Sequence, residues 1–328
     1  MTLRIDLSKI SSSNKCSTPS KRYTFKRQLG QGCEGEIWEA ECSKSHEKFA
    51  VKIVRNCSSE VYSKYKKTWG SFNHKYLLKL ADLEWENETL YLVSKICERD
   101  LLETINSAEE GKLNEYHAYG YFNELVEALK YCHSVGVLHK DVKPENVLID
   151  GDHIKLCDFG SCSFIDSAEA TNMHGSPSYS PPESFSAREK PGCRQELAAQ
   201  DVWSLGITLF AMVTGFLPWM EANGSDSFFK EYSSTKSLKR FLDGTCISEE
   251  LEKLLESMLR QNPLERITLE EINSHPWIQN MHSKFLRLQS LEDSFSLKRQ
   301  LKETDSPNGV EGFEDNANES KRRKMICF

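Results

Sequence analysis

The sequence predicts an α+β fold of two lobes, a small β-rich N-lobe carrying one helix and a larger, mainly helical C-lobe. Three observations predict it. Between Tyr23 and Ile96 the apolar residues alternate or cluster at strand spacing, with glycine turns between the runs. Beyond Asp100 they recur near every 3.6 residues, the period of a helix face. Gly and Pro punctuation then separates the helical stretches.

In the N-lobe, Ile37-Trp38-Glu39-Ala40 and Phe49-Ala50-Val51-Lys52-Ile53-Val54 read as strands that follow a glycine turn. Ser58 to Phe72 reads as the single helix, with Ser58 or Ser59 able to cap its first turn. Leu77–Trp85 and Thr89–Ile96 flank Glu86-Asn87-Glu88, a hairpin pattern. In the C-lobe, helices are expected over Tyr116 to His133, Ala199 to Thr214, Ser248 to Arg260 and Thr268 to Asn273.

The expected boundaries are a flexible leader over 1–21, the folded domain over 22–280 (N-lobe 22–96, C-lobe 99–280), and a polar, charged tail over 281–328 expected to be disordered. The tail ends in Lys321-Arg322-Arg323-Lys324-Met325-Ile326-Cys327-Phe328. That basic run reads either as a nuclear-localisation patch or as a solvated charged end. Cys327 is next to last, which does not fit a prenylation box.

A chain of 328 residues is long enough to bury a sizeable core. With 38% hydrophobic and 28% charged residues it has the composition of a soluble globular protein. A net charge of −7 and a pI near 5.8 argue against nucleic acid as a partner. The longest apolar candidate, Leu205 to Trp219, falls short of the roughly 18 residues of a membrane span. Met1 to Ser13 lacks the apolar run of a secretory signal. Eleven cysteines at irregular gaps suit a reducing compartment better than a disulfide framework. The expected location is the cytoplasm, with the nucleus as the alternative that the basic run leaves open.

Chemistry concentrates in two short loops. His139-Lys140-Asp141-Val142-Lys143-Pro144-Glu145-Asn146 is followed, twelve residues after Asn146, by Asp158-Phe159-Gly160. A base, a lysine, an asparagine and a second aspartate at this spacing can hold a metal–nucleotide complex and activate a hydroxyl toward it. Upstream, Gly30-Gln31-Gly32-Cys33-Glu34-Gly35-Glu36-Ile37 has the G-x-G-x-x-G spacing, which alone also opens dinucleotide-binding folds. Here a strand follows instead of a helix, and Lys52 arrives seventeen residues after Gly35. A lysine inside an apolar strand needs a partner, and triphosphate oxygens would supply one.

These loops resemble the catalytic loop and metal-binding triplet of eukaryotic protein kinases. The resemblance extends through Ser176-Pro177-Ser178-Tyr179-Ser180-Pro181-Pro182-Glu183, which resembles the end of an activation loop, with Glu183 expected to pair with Arg266. Asp201-Val202-Trp203-Ser204-Leu205-Gly206 resembles the helix whose aspartate braces the catalytic loop, and His275-Pro276-Trp277 the end of the conserved fold. Lys143 and Ser176 resemble the serine/threonine type. Gly215-Phe216-Leu217-Pro218-Trp219 and Asn262-Pro263 with Arg266-Ile267-Thr268 resemble the calmodulin-dependent and AMP-activated branch. Trp219-Met220-Glu221-Ala222, with Phe228-Phe229, also resembles fungal nutrient- and stress-signalling kinases.

The resemblance implies ATP and Mg2+ as cofactors and proteins with Ser or Thr acceptors as substrates. It assigns Asp141, Lys143 and Asn146 to catalysis, with Asn146 and Asp158 as metal ligands. The glycines Gly30, Gly32 and Gly35, with Ile37 and Lys52, would cover and contact the nucleotide. Ala50 and Leu148 would sandwich the adenine, Lys95 and Cys97 would offer it backbone hydrogen bonds, and Asp100 would reach the ribose. Ser94 would guard the back of the pocket. Glu145, with Glu98 or Asp100, could attract a basic substrate side chain. An apolar stack of Trp69, Leu80, His139 and Phe159 would link the lobes. A signalling scaffold that keeps this fold without activity is the alternative.

Two departures stand out. The helix position that usually carries a glutamate for the strand lysine falls near Tyr65, and the closest acid is Glu60. Five residues turn a helix by about 140°. Glu60 is expected either to substitute as the partner of Lys52 or to sit exposed at the helix start. Lys140 stands where an arginine usually grips an activation-loop phosphate, and Asn172 lies near the usual phosphorylated position. Weak or no dependence on phosphorylation of that loop is expected.

Overall fold

The computed structural model describes residues 22–32, 35–171, 175–186 and 192–288. The expected leader, nearly all of the expected tail with its basic run, Cys33 and Asn172 lie outside these residues.

Five antiparallel strands open the chain: β1 (Tyr23–Gly32), β2 (Gly35–Cys42), β3 (Lys48–Val54), β4 (Leu80–Glu86) and β5 (Thr89–Lys95), in the spatial order β1-β2-β3-β5-β4. The loop between β4 and β5 is Asn87-Glu88, both with positive φ, as a two-residue hairpin turn matched to strand twist requires. Because side chains alternate across a sheet, the register sorts them into two sets. Trp38, Ala40, Val51, Ile53, Tyr91 and Val93 share one face and, with Tyr23, make an apolar cluster. Ile37, Ala50, Lys52 and Ser94 share the other.

Between β3 and β4 lies α1 (Ser59–Lys67), whose N-cap is Ser58, with its hydroxyl accepting from Val61 N at 3.4 Å. The expected helix to Phe72 ends sooner, and a separate 3₁₀ turn covers Trp69–Ser71. The segment after it leaves the N-lobe: Leu78 N donates to Leu156 O at 2.9 Å and Leu156 N to Tyr76 O at 2.8 Å. Residues 77–79, expected in a strand of the hairpin, therefore join the C-lobe side, and β4 starts at Leu80.

The C-lobe follows with β6 (Arg99–Asp100), α2 (Leu101–Asn106), α3 (Glu115–Ser134), β7 (Val137–Leu138), β8 (Val147–Asp150), β9 (His153–Leu156) and β10 (Ser163–Phe164), then α4 (Arg194–Thr214), α5 (Ser227–Thr235), α6 (Lys239–Leu242), α7 (Glu249–Met258) and α8 (Leu269–Ile272). The short strands β6 to β10 were not legible as strands, because pieces of two to four residues are too short for a period to show. α4 begins five residues before the expected Ala199, since Glu196 Oε2 accepts from Cys193 N at 2.7 Å and starts the helix there. It is apolar enough by length and composition to cross a membrane, yet 94% of that window is buried inside the protein. Its Trp203, Leu205, Leu209 and Phe210 are fully enclosed. Each such side chain contributes about 1.5–3 kcal/mol on leaving water, so α4 is the spine of the lobe and a rigid base for the loops above it.

Candidate active site

The loop from His139 to Asn146 is pinned from below by α4. Asp201, fully buried, accepts from His139 N at 2.9 Å and Lys140 N at 2.7 Å, and pairs with His133 Nε2 at 2.8 Å. Burial opposes its ionisation, but the His133 hydrogen bond, with help from His139, outweighs that and holds the carboxyl below its usual range. Thr208 Oγ1 adds a bond to Val142 O at 3.2 Å, and Ser204 Oγ one to Tyr179 O at 2.8 Å. The expected bracing role of Asp201 is thus present. His133 and Thr208 were missed, because nothing in a helix-period pattern distinguishes them from ordinary helix residues.

On this support the side chains that the resemblance assigns to catalysis converge. Lys143 Nζ donates to Asp141 Oδ2 at 2.8 Å and to Ser176 Oγ at 2.6 Å. Ser176 N donates to Asp141 Oδ1 at 2.7 Å. Asn146 Nδ2 donates to Asp141 O at 2.8 Å and Oδ2 at 3.0 Å. Burial alone would raise the Asp141 carboxyl; Lys143 and the Ser176 amide overcome it and keep the group ionised below the usual range. Gly175 makes this closeness possible. Its φ is +92°, and a Cβ there would stand 2.3 Å from Lys140 O and 3.1 Å from Asp141 Oδ1.

The second loop brings Asp158 beneath the sheet. Lys52 Nζ donates to Asp158 Oδ1 at 2.7 Å, joining strand and loop across 106 positions of sequence. Asp158 holds φ +62°, a left-handed conformation that a non-glycine residue keeps only where its surroundings enforce it. Phe159, fully buried, supplies part of that enforcement. Its ring meets His139 at 4.7 Å, Phe72 at 4.9 Å and Trp69 at 5.6 Å between centroids. The expected stack therefore includes Trp69, His139 and Phe159, with Phe72 as an unexpected member; Leu80 is half-buried at the start of β4.

Glu60 does not partner Lys52. It is exposed in the first turn of α1, where Ser59 Oγ donates to its carboxylate at 3.2 Å. Tyr65, in the position where the glutamate was sought, is 3% exposed. Helix geometry explains the correction: with α1 starting at Ser59 and Tyr65 turned inward, a residue five positions earlier cannot share its face.

The candidates for contacting a nucleotide lie on the sheet and at the lobe junction. Gly30 and Gly32 lie on β1 and Gly35 opens β2, with Gly32 paired to Gly35. Only Gly35 is demanded by the protein itself, since a Cβ there would sit 2.1 Å from Ile53 O; at Gly30 and Gly32 it would meet nothing within 4 Å. Ile37, Ala50 and Lys52 share one sheet face, and Leu148 is half-buried on β8. Cys97 is half-buried at the lobe junction, and burial pushes its thiol up to about 11. The Lys95 side chain is exposed and bonds Asp150 at 2.7 Å. The Asp100 carboxylate also serves as the N-cap of α2, its Oδ1 accepting from Glu103 N at 2.7 Å.

The donor set fits a hard cation bound together with phosphate. Asp158 offers a carboxylate, and Asn146, whose Nδ2 is spent on Asp141, has its amide oxygen left for a ligand. Among the described residues no group of three or more His, Cys, Asp or Glu could hold a metal alone. A magnesium ion needs only one or two protein oxygens, with phosphate and water completing its shell, so Asp158 and Asn146 are enough donors for it.

Beyond the loops, Arg266 and Glu183 form the expected pair. NH1 and NH2 meet Oε1 and Oε2 at 2.9 and 3.0 Å, the two-pronged arrangement that arginine allows. Lys140 Nζ, in the position of the phosphate-gripping arginine, donates to Glu169 O at 3.1 Å and Ala170 O at 3.3 Å in the segment after β10.

Comparison with known sequences accords with this geometry. The protein kinase domain family matches residues 23–278. CBL-interacting serine/threonine-protein kinase 2 of Arabidopsis thaliana is 28% identical over 316 residues, covering 93% of this chain and 66% of that protein. CBL-interacting protein kinase 15 of Oryza sativa subsp. japonica is 31% identical over 271 residues, 79% of this chain and 60% of that protein. Serine/threonine protein kinase OSK3 of Oryza sativa subsp. indica is 31% identical over 275 residues, 81% of this chain and 52% of that protein. The chain thus spans between about half and two thirds of the length of these relatives.

Proposed function

The chain belongs to the protein kinase family, and from that premise we propose that it transfers the γ-phosphoryl group of ATP to serine and threonine hydroxyls of protein substrates. The observation that carries this reading is the closed arrangement of Asp141, Lys143 and Ser176, with hydrogen bonds of 2.6 to 2.8 Å joining the three. An ionised Asp141 can accept or orient the proton of the acceptor hydroxyl. Lys143, bonded to the same carboxylate, places a positive charge beside the transferring group. Ser176 fixes both, and it belongs to the segment an extended peptide would lie along.

Asn146 and Asp158 would hold Mg2+, which neutralises charge on the phosphate oxygens when bound. Lys52 would exchange its bond to Asp158 for phosphate oxygens or share both. Ile37, Ala50 and Leu148 provide the apolar surroundings for a base, and the open space beside Gly30 and Gly32 leaves room for the phosphates. Phosphoryl transfer needs position and charge more than covalent chemistry, and these residues supply both.

The test is incubation of the purified chain with labelled ATP, Mg2+ and a degenerate peptide library, beside Asp158→Ala and Asp141→Asn. Label on Ser and Thr peptides with the native chain, lost in both variants, is expected. No transfer by the native chain, with nucleotide binding intact, would favour a scaffold instead.

A further inference from the structure

In place of an acid on α1, the helix presents a lysine to the metal-binding loop. Glu60 is the only acid in α1, and it is exposed and bonded to Ser59. Lys64 lies one position before the inward-facing Tyr65 and is half-buried. Its Nζ donates to Gly160 O at 2.9 Å, two residues past Asp158. The α1 helix therefore grips the backbone of the loop itself, while Lys52 grips the Asp158 carboxylate.

We propose that Lys64 is the positioning residue that couples α1 to the metal-binding loop, doing through the Gly160 carbonyl what a helix carboxylate would do through Lys52. This rests on the proposed phosphoryl transfer for its functional meaning, but not for its geometry. Three anchors converge on three consecutive residues: Lys52 on Asp158, the aromatic rings on Phe159, and Lys64 on Gly160. Two of the anchors, Lys64 and Trp69, come from α1 and the turn that follows it. A shift of α1 thus pulls on Gly160 O and Phe159 together, and Asp158 between them carries a positive φ that cannot persist without such restraint. The contact is to a backbone carbonyl, so its effect on a bound metal–nucleotide complex runs through Asp158.

The experiment compares Lys64→Met, which keeps the apolar stem and removes the charge, with Lys64→Arg, which can still donate to the carbonyl. Deuterium exchange of peptides covering 158–170 is measured without nucleotide, and ATP binding is measured with and without Mg2+. A charge-assisted hydrogen bond of this kind predicts about tenfold weaker Mg2+-dependent ATP binding in Lys64→Met. Metal-free binding should be unchanged, exchange over 158–170 faster, and Lys64→Arg close to native in each. Unchanged exchange in Lys64→Met overturns the proposal. So does an equal loss of ATP binding with and without metal, which would mark a merely structural residue. If the native chain binds no ATP with Mg2+, the kinase reading fails, and the exchange measurement still decides the role of Lys64.

Discussion

Replacing Glu183 with alanine is expected to destabilise the C-lobe far more than the loss of a surface ion pair would. The Arg266 side chain has no solvent exposure and that of Glu183 has 9%. The guanidinium also donates to Arg260 O at 2.9 and 3.0 Å and to Ala199 O at 2.6 Å, and it lies 5.0 Å above the Trp203 ring. Those neutral partners would keep it buried after Glu183 is gone, so the charge would stay in place without its counterion. Stranding one member of a buried pair costs about 3–5 kcal/mol. For a domain of this size each kcal/mol lowers Tm by roughly 2–4 °C, which places the fall near 10 °C. Thermal unfolding followed by circular dichroism at neutral pH reads it. The double variant Glu183→Ala/Arg266→Met should recover part of the loss, because it removes the stranded charge and leaves a side chain that fills the space. A Tm within about 2 °C of native for Glu183→Ala would refute the reasoning. A double variant that falls by the sum of the two single losses would do so as well.

Two further outcomes follow from the loops. Burial foremost, joined by Lys64, pushes the Lys140 ammonium down to about 8 against the pull of Asp201 and Glu169. Unfolded, that lysine titrates near 10.4, so the unfolded chain binds the proton more tightly and the stability contribution of Lys140 rises as pH climbs from about 8. Activity should move the other way, falling above about pH 8 as Lys140 loses the ammonium charge that strengthens its bonds to the Glu169 and Ala170 carbonyls, while Lys140→Arg should flatten that fall in a pH–rate profile; an identical alkaline limb in both would count against it. Gly175→Ala should lower kcat about a hundredfold, since displacing the catalytic loop by an ångström is enough. Gly224→Ala, where a Cβ meets nothing within 4 Å, should leave peptide phosphorylation unchanged and serves as its control.

The lobes and the catalytic constellation were legible because both rest on spacing. Strand period set the face that carries Ile37, Ala50 and Lys52, and loop spacing brought Asp141, Lys143, Asn146 and Ser176 together. What was not legible depends on rotation or on backbone. The inward turn of Tyr65 follows from where α1 starts, which Ser58 and Ser59 could each have set. The capping role of Asp100 was likewise hidden, because only the start of α2 at Leu101 makes that aspartate an N-cap. Lys64 and Lys140 act on carbonyls, and no residue pattern marks a carbonyl as a partner.

Those carbonyl contacts bear on how the segment between Gly160 and Gly175 is held. An arginine can grip a phosphate with two parallel hydrogen bonds, whereas Lys140 already meets Glu169 O and Ala170 O in the unmodified chain. A phosphate gripped by Lys140 would have to draw it away from two hydrogen bonds and would gain a point-charge partner rather than a two-pronged one. Its net gain is therefore smaller than at an arginine with no prior bonds. At the other end of the segment Lys64 binds Gly160 O. Thr171→Glu and Thr171→Ala should accordingly differ by less than about threefold in kcat, a gap under 1 kcal/mol. A tenfold or larger gain for the glutamate would mean that the lysine contacts are too weak to substitute for a phosphate.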